Sequence, residues 1–182
     1  MEESVEEDMS WKPKLGMEFD SEQAAYDFYN EYGGRIGFSI RKEACAKDKC
    51  SILTSRTFVC CKEGFRGKDK RSDLVKNPRA QTRTGCEALM GIQLVRQTGK
   101  YSVYRFSEEH NHVLVKKEYV HMMPSQRNLR ASDGAFLDLT ANSGVSPKAS
   151  FELMSNQAGG RESLGFTKQD HKNYLRTVRQ KK

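Results

Sequence analysis

Ala25, Phe28, Tyr29 and Tyr32 fall at helical spacing and gather apolar bulk on one side of the segment. Just ahead, Phe19-Asp20-Ser21-Glu22-Gln23 reads as a helix start, with Asp20 as cap, Gln23 as its capping-box partner and Phe19 as a hydrophobic staple. Gly33-Gly34 reads as the stop. Such a stripe predicts an amphipathic helix packed on a sheet. After the glycines the period drops to two. Ile36, Phe38 and Ile40 alternate with Gly37, Ser39 and Arg41, and β-branched and aromatic residues continue the pattern from Ile52 to Cys61. The polar stretch Lys47-Asp48-Lys49 joins these two strands. Ala88 to Arg96 and Tyr101 to Phe106 read as a third and a fourth, joined by Gln97-Thr98-Gly99-Lys100, whose glycine supplies the positive φ of a tight hairpin. Sequential hairpins imply a small antiparallel sheet of about four strands with an N-terminal helix, an α+β fold. Roughly 70 residues of sheet are marginal on size alone and call for a staple.

Between the second and third strands, residues 62–85 hold eight Lys/Arg, three acids, three glycines and one proline. That composition predicts a flexible basic loop, because so little apolar surface cannot offset the entropy of ordering it. Beyond His112 the pattern thins. Ser146-Pro147 opens a helix ending near Gly159-Gly160, and Thr167-Lys168-Gln169-Asp170 looks like a cap for a short basic helix through Tyr174, Leu175 and Val178. No dense apolar pattern supports a second core. The organisation expected is therefore an acidic disordered N-terminus over 1–15, a folded domain over 16–115 and a mostly flexible, linker-like tail with transient helices over 116–182.

Charge sharpens this division. The first 30 residues carry nine Asp/Glu against Lys12 and Lys14, whereas the other 152 hold 29 Lys/Arg against 15 acids. A basic body calls for a polyanion, and nucleic acid is the commonest, since each cation placed on a phosphate releases a condensed counterion. No run approaches the roughly 18 apolar residues of a membrane span, and the acidic Met1 to Asp8 start lacks the order of a secretory signal. The expectation is a soluble intracellular chain with no membrane partner and no small-molecule substrate.

Five cysteines, Cys45, Cys50, Cys60, Cys61 and Cys86, are an odd number without a secretory signal, which argues against a disulfide framework. A cysteine ends the second strand, Cys86 precedes the third, and His110-Asn111-His112 follows the fourth. In an extended segment residues i and i+2 share a face, so both histidines reach one ion; on a helix they would diverge. Two thiolates and two imidazoles suit one tetrahedral, structural Zn2+, which contributes folding free energy directly and supplies the missing staple. Cys60 and Cys61 point to opposite faces, so only one of them belongs to the set.

These residues carry a resemblance. Cys86, 23 intervening residues, then His110-Asn111-His112 resembles the second half of the Cys-Cys-His-x-His signature of the WRKY and glial-cells-missing superfamily. A closer resemblance is to the amino-terminal domain of the plant far-red-impaired response family. It is carried by Gly16-Met17-Glu18-Phe19, Ala24-Ala25-Tyr26-Asp27-Phe28-Tyr29, Gly37-Phe38-Ser39-Ile40-Arg41, Phe58-Val59-Cys60, Gly85-Cys86-Glu87-Ala88 and Glu109-His110-Asn111-His112, from about Gly16 to Leu114. The resemblance selects Cys60 over Cys61. It implies a nuclear, zinc-dependent, sequence-specific DNA-binding regulator of transcription associated with light signalling and related to Mutator-like transposases. Full-length relatives continue into a transposase-derived domain and a SWIM-type zinc finger. The stretch Phe166 to Leu175 looks like the linker leading there, so the chain reads as a short form without that region, with full-length family members as candidate partners.

In the WRKY relatives an outer strand bearing Trp-Arg-Lys-Tyr-Gly-Gln-Lys enters the major groove. Here the matching offset lands on Ile40, followed by Arg41-Lys42, and Tyr-Gly-Gln-Lys is replaced by Glu43-Ala44-Cys45-Ala46, so the same bases are not expected to be read. Arg41, Lys42, Lys47 and Lys49 are the expected groove and phosphate contacts on double-stranded DNA. Lys68, Lys70, Arg71, Lys76, Arg79 and Arg83 in the loop are expected to add sequence-independent attraction. No enzyme is expected: neither a general base beside a metal-bound histidine nor an oxyanion hole is marked, and a closed zinc site lacks the open position that catalysis needs. The alternative is a non-catalytic interaction module that competes with or modulates full-length relatives.

Overall fold

The structure, a computed structural model, describes residues 9–67, 76 and 80–181. Two compact units divide near Leu114. The first is α+β: strands β1 (Glu18–Phe19), β2 (Ile40–Lys47), β3 (Leu53–Cys60), β4 (Leu89–Val95) and β5 (Lys100–Ser107), with helix α1 (Glu22–Ile36) between β1 and β2. Every pairing is antiparallel, in the order β1-β5-β4-β3-β2. The sheet thus has five strands rather than about four. The extra one, β1, is two residues long, below the length at which an alternating pattern is readable.

α1 packs on the sheet through the aromatic stripe. Ala25, Tyr29 and Tyr32 are buried with Phe38, Phe58, Cys60, Cys86, Met90, Ile92 and Val103. The rings interlock edge to face, Tyr26 on Phe58 at 5.7 Å and Tyr32 on Phe106 at 5.8 Å between centroids. Phe28 is only half-buried and sits on Phe19, 5.3 Å away, a contact at the seventh residue of the helix in place of the staple expected at its first turn.

Both ends of α1 differ from expectation. Its cap is Ser21, whose hydroxyl accepts the Ala24 N–H at 3.0 Å, rather than Asp20. The helix also runs through Gly33-Gly34 and stops at Gly37, which adopts φ 103°. Gly33 serves close approach instead of termination. Its carbonyl accepts the N–H groups of Gly37 and Phe38, both at 2.8 Å, and a Cβ there would lie 2.8 Å from the Phe38 carbonyl oxygen. Consequently Ile36 ends the helix, Phe38 lies in the connection, and β2 begins at Ile40.

β2 is an edge strand. Only Ile40 is buried along it, Arg41 is half-buried, and Lys42 to Lys47 are exposed. An extra residue bulges between Lys42 and Cys45. Its turn is tied by Asp48, whose carboxylate accepts the N–H groups of Cys50 (2.9 Å) and Ile52 (3.1 Å) and pairs with Arg96 (3.1 Å). The β4–β5 turn follows expectation, with Gly99 at φ 71° donating its N–H to the Val95 carbonyl at 2.8 Å.

The second unit corrects the expectation of no second core. α2 (Ala131–Asn142), α3 (Pro147–Gln157) and α4 (Lys168–Lys181) bury Leu137, Phe151, Met154, Phe166 and Leu175 together. Each helix contributes one or two of these residues, so no single window of sequence is dense in apolar positions. Gly134 in α2 admits Tyr174, whose hydroxyl donates to Asp138 at 2.9 Å; a Cβ at 134 would lie 2.9 Å from that oxygen. The α3 cap is Ser146, accepting the Ala149 N–H at 3.2 Å. α4 opens on Thr167 and Asp170: the Thr167 N–H donates to the Asp170 carboxylate at 2.9 Å and the Asp170 N–H to the Thr167 hydroxyl at 3.3 Å. No helix among the described residues is long and apolar enough to cross a membrane.

Candidate metal centre and nucleic-acid interface

Cys60 ends β3, Cys86 lies three residues before β4, and His110 and His112 follow β5. The three segments converge because the loop stems are zipped together. The Lys62 carbonyl accepts the N–H groups of Thr84 (2.9 Å) and Cys86 (3.3 Å), and the Gly64 carbonyl accepts that of Gly85 (2.9 Å). Gly85 is required there: its φ is 70° and a Cβ would overlap the Phe65 ring.

One donor atom from each of Cys60, Cys86, His110 and His112 lies within 4.8 Å of all the others. Cys60 Sγ is 3.2 Å from His112 Nε2, Cys86 Sγ 3.3 Å from His110 Nδ1, and the two nitrogens are 3.2 Å apart. Around a tetrahedral zinc ion, bonds of about 2.3 Å to sulfur and about 2.0 Å to nitrogen separate neighbouring donors by about 3.3 to 3.8 Å. The donor set therefore fits a four-coordinate metal ion, with both cysteines buried and both histidines half-buried. The side-by-side placement differs from the extended segment expected: the chain leaves β5 at Ser107 and bends at Asn111 and His112, and that bend turns both imidazoles onto the same point.

Burial leaves the donors of this group in their neutral forms when no metal is bound. Burial, and then the neighbouring His112, hold the His110 imidazole down at about 4, so it is neutral and its lone pair is free to ligate. Its Nε2 is buried without a hydrogen-bond partner. The hydrogen bond with Cys61 and burial push the Cys60 thiol up in the metal-free chain. A divalent ion held among the four donors would make thiolates the stable form there. His112 is oriented from outside, with Nδ1 3.0 Å from the Val113 carbonyl. Cys61 lies outside the four-donor group, and Cys45 and Cys50 are exposed in the β2–β3 hairpin.

Asn111 is a functional residue that sequence reasoning missed. Its amide donates to the Thr84 carbonyl and its side-chain oxygen accepts the Thr84 hydroxyl, both at 2.8 Å, so it clamps the His-x-His segment to the strand of loop that carries Cys86. The only signal was an amide able both to donate and to accept, set between two ligands.

The candidate DNA contacts divide. Arg41 pairs with Glu63, and Lys42 pairs with Glu22 at 3.0 Å over the Tyr26 ring. Lys47, Lys49, Lys76 and Arg83 are exposed without an ion pair among the described residues. Lys68, Lys70, Arg71 and Arg79 lie outside the described residues, as do residues 1–8 of the N-terminus expected to be disordered; its residues 9–15 are ordered instead, with Trp11 packed against the core and Pro13 buried. The sheet face away from α1 holds an open groove of about 700 Å³ lined by Glu43, Glu63 and Glu87 with Arg105.

Residues 27–116 match the model of the FAR1 DNA-binding domain. The chain is 36% identical to Protein FAR1-RELATED SEQUENCE 5 of Arabidopsis thaliana, over 93% of its own length. The chain belongs to the far-red-impaired response family. Two further Arabidopsis thaliana relatives in this family are Putative protein FAR1-RELATED SEQUENCE 10, 27% identical over 94% of the chain, and Protein FAR-RED IMPAIRED RESPONSE 1, 28% identical over 87%. The chain spans 22%, 26% and 19% of the lengths of these three relatives. No solved structure matches it. The family's DNA-binding domain thus coincides with the unit that carries the Cys2His2 group.

Proposed function

We propose that this far-red-impaired response protein is a zinc-dependent, sequence-specific DNA-binding regulator of transcription that acts in the nucleus, in the light-signalling role implied by its relatives, and that it carries out no catalysis. The observation that carries the reading is the juxtaposition of a DNA-binding family domain with four metal donors at the foot of β3, one strand from the exposed edge strand β2. Bound by Cys60, Cys86, His110 and His112, a Zn2+ ion supplies structural cross-linking of three chain segments. With all four positions filled by protein, no open site remains for substrate.

The duplex approaches the β2 edge and its hairpin, where Lys47 and Lys49 are free. Glu43 and Glu87 on the open sheet face repel phosphate and disfavour that side. Arg41 and Lys42, already held by Glu63 and Glu22, brace the strand and do not lead the contact. Arg83 and Lys76 add phosphate attraction.

The test is a binding titration of the full chain on a labelled duplex library, with zinc and with chelator. Enrichment of a sequence by the zinc-loaded chain, lost on chelation and regained with zinc, supports the reading. Zinc-loaded chain that binds no duplex at about 50 mM salt, where phosphate attraction is strong, overturns it.

A further inference from the structure

Helix α4 carries a cationic face that the metal domain does not explain. Its buried side is formed by His171 and Leu175. Lys172, Arg176 and Arg179 stand exposed along one flank of that buried side, with no ion pair among the described residues. They line a hollow of about 320 Å³ floored by Pro147 and Leu175, with no carboxylate among the lining residues. Pro147 is the first residue of α3, a helix with no acidic residue in its first turn. The positive end of the α3 dipole and three cations therefore converge on one hollow, an arrangement that attracts an anion.

We propose that this α4 face is a second, sequence-independent site for the phosphate backbone of double-stranded DNA, an inference that rests on the DNA-binding reading above. The helical rise from Lys172 to Arg179 extends about 10 Å. One DNA strand presents about three phosphates over that axial length, one per three or so ångströms. The three cations match that number. Because both units belong to one chain, the site adds avidity through effective concentration and needs no fixed arrangement of the units. Its contacts carry no base information, so the metal domain keeps the sequence preference.

The test uses the full zinc-loaded chain and a random-sequence duplex of about 20 base pairs, with affinity measured across a salt series. In the variant Lys172→Gln, Arg176→Gln, Arg179→Gln the log–log slope should shrink by about 0.9 for each phosphate left without its cation, between about two and three in all. Zinc content, and any preference for one sequence over another, should stay as in the parent. An unchanged slope overturns the α4 site and leaves the DNA-binding reading standing, whereas a parent chain that binds no duplex overturns both. Should circular dichroism show that the triple variant is unfolded, Arg176→Gln is compared with Arg176→Lys. A fall in slope of about 0.9 in the first and none in the second supports the site, and equal slopes overturn it.

Discussion

The Phe38 ring lies 4.4 Å from the imidazole of His110, centroid to centroid, at a tilt of 54°. Phe38 also packs edge to face on Tyr29 of α1 at 5.8 Å. One aromatic side chain thus joins the helix–sheet core to a metal donor, and the core and the centre stand or fall together. Structural zinc sites contribute on the order of 10 kcal/mol, more than a small sheet of this size supplies alone. Chelation should therefore unfold the first unit and spare the second, whose core of Leu137, Phe151, Met154, Phe166 and Leu175 holds no donor of the group. Trp11, the only tryptophan, stacks on Tyr32 at 5.9 Å and reports on the first unit alone. Its fluorescence should shift on chelation while part of the helical circular dichroism persists. A tryptophan signal indifferent to chelator would count against a structural metal.

Three of the five cysteines should separate cleanly under substitution. Cys86→Ser removes a buried donor 3.3 Å from His110 and should abolish stoichiometric zinc in native mass spectrometry. Cys45→Ser and Cys50→Ser touch exposed hairpin positions and should leave zinc content intact, with stability changed by no more than about 0.5 kcal/mol. Asn111→Ala keeps all four donors but loses both bonds to Thr84, and should weaken zinc by about 10- to 100-fold, the usual effect of removing a group that orients ligands.

Gly33→Ala tests whether close approach outweighs helix propensity. Alanine favours a helix over glycine by about 1 kcal/mol. Against this, its Cβ would meet the Phe38 carbonyl oxygen at 2.8 Å and Ile40 Cγ2 at 3.3 Å, backbone and buried side chain that cannot both retreat. Overpacking of this kind costs about 1 to 3 kcal/mol. The zinc-loaded variant should be destabilised in a urea titration followed by Trp11. A gain in stability would mean that the glycine serves the helix end after all.

What the residues disclosed about this fold follows from the range of each signal. The aromatic stripe of α1, the β4–β5 hairpin with Gly99 and the caps at Ser146 and Thr167 are local patterns, and all appear where the periodicity places them. Gly33 misled because a glycine that ends a helix and one that admits a neighbouring carbonyl look alike in one dimension. The core of α2, α3 and α4 escaped because its apolar residues come one or two at a time from separate segments. The metal donors were legible because two histidines two residues apart can meet one ion and because the family resemblance selected Cys60 over Cys61; the bend at Asn111 and His112 that brings the imidazoles together was not, since an extended segment was expected there. The pairing of Arg41 with Glu63 and of Lys42 with Glu22 was not, since each crosses between elements whose register no spacing reveals.

His171 gives the second unit a pH dependence of its own. Its imidazole is buried, stacks parallel to Phe151 at 6.1 Å between centroids, and has no hydrogen-bond partner for either nitrogen. Burial disfavours the charged ring and holds it below the usual histidine value. The folded chain therefore takes up this proton less readily than the unfolded chain, whose imidazole titrates near about 6.5. Above about pH 6.5 both states are neutral and the contribution of the buried ring is complete. As the pH falls from there the unfolded state is protonated first, and stability drains away until the folded ring titrates too. Asp170, drawn below the usual carboxylate range by Thr167 and Arg127 against the opposing effect of burial, loses its stabilising contribution only at lower pH, so the window from about 6.5 to 5 isolates the histidine. Thermal unfolding of the second unit, followed by hydrogen exchange at α4, should weaken across that window in the parent and much less in His171→Phe, which keeps the stacked ring and removes the titrating group. Equal pH profiles in the two would show that the buried imidazole is not the group responsible.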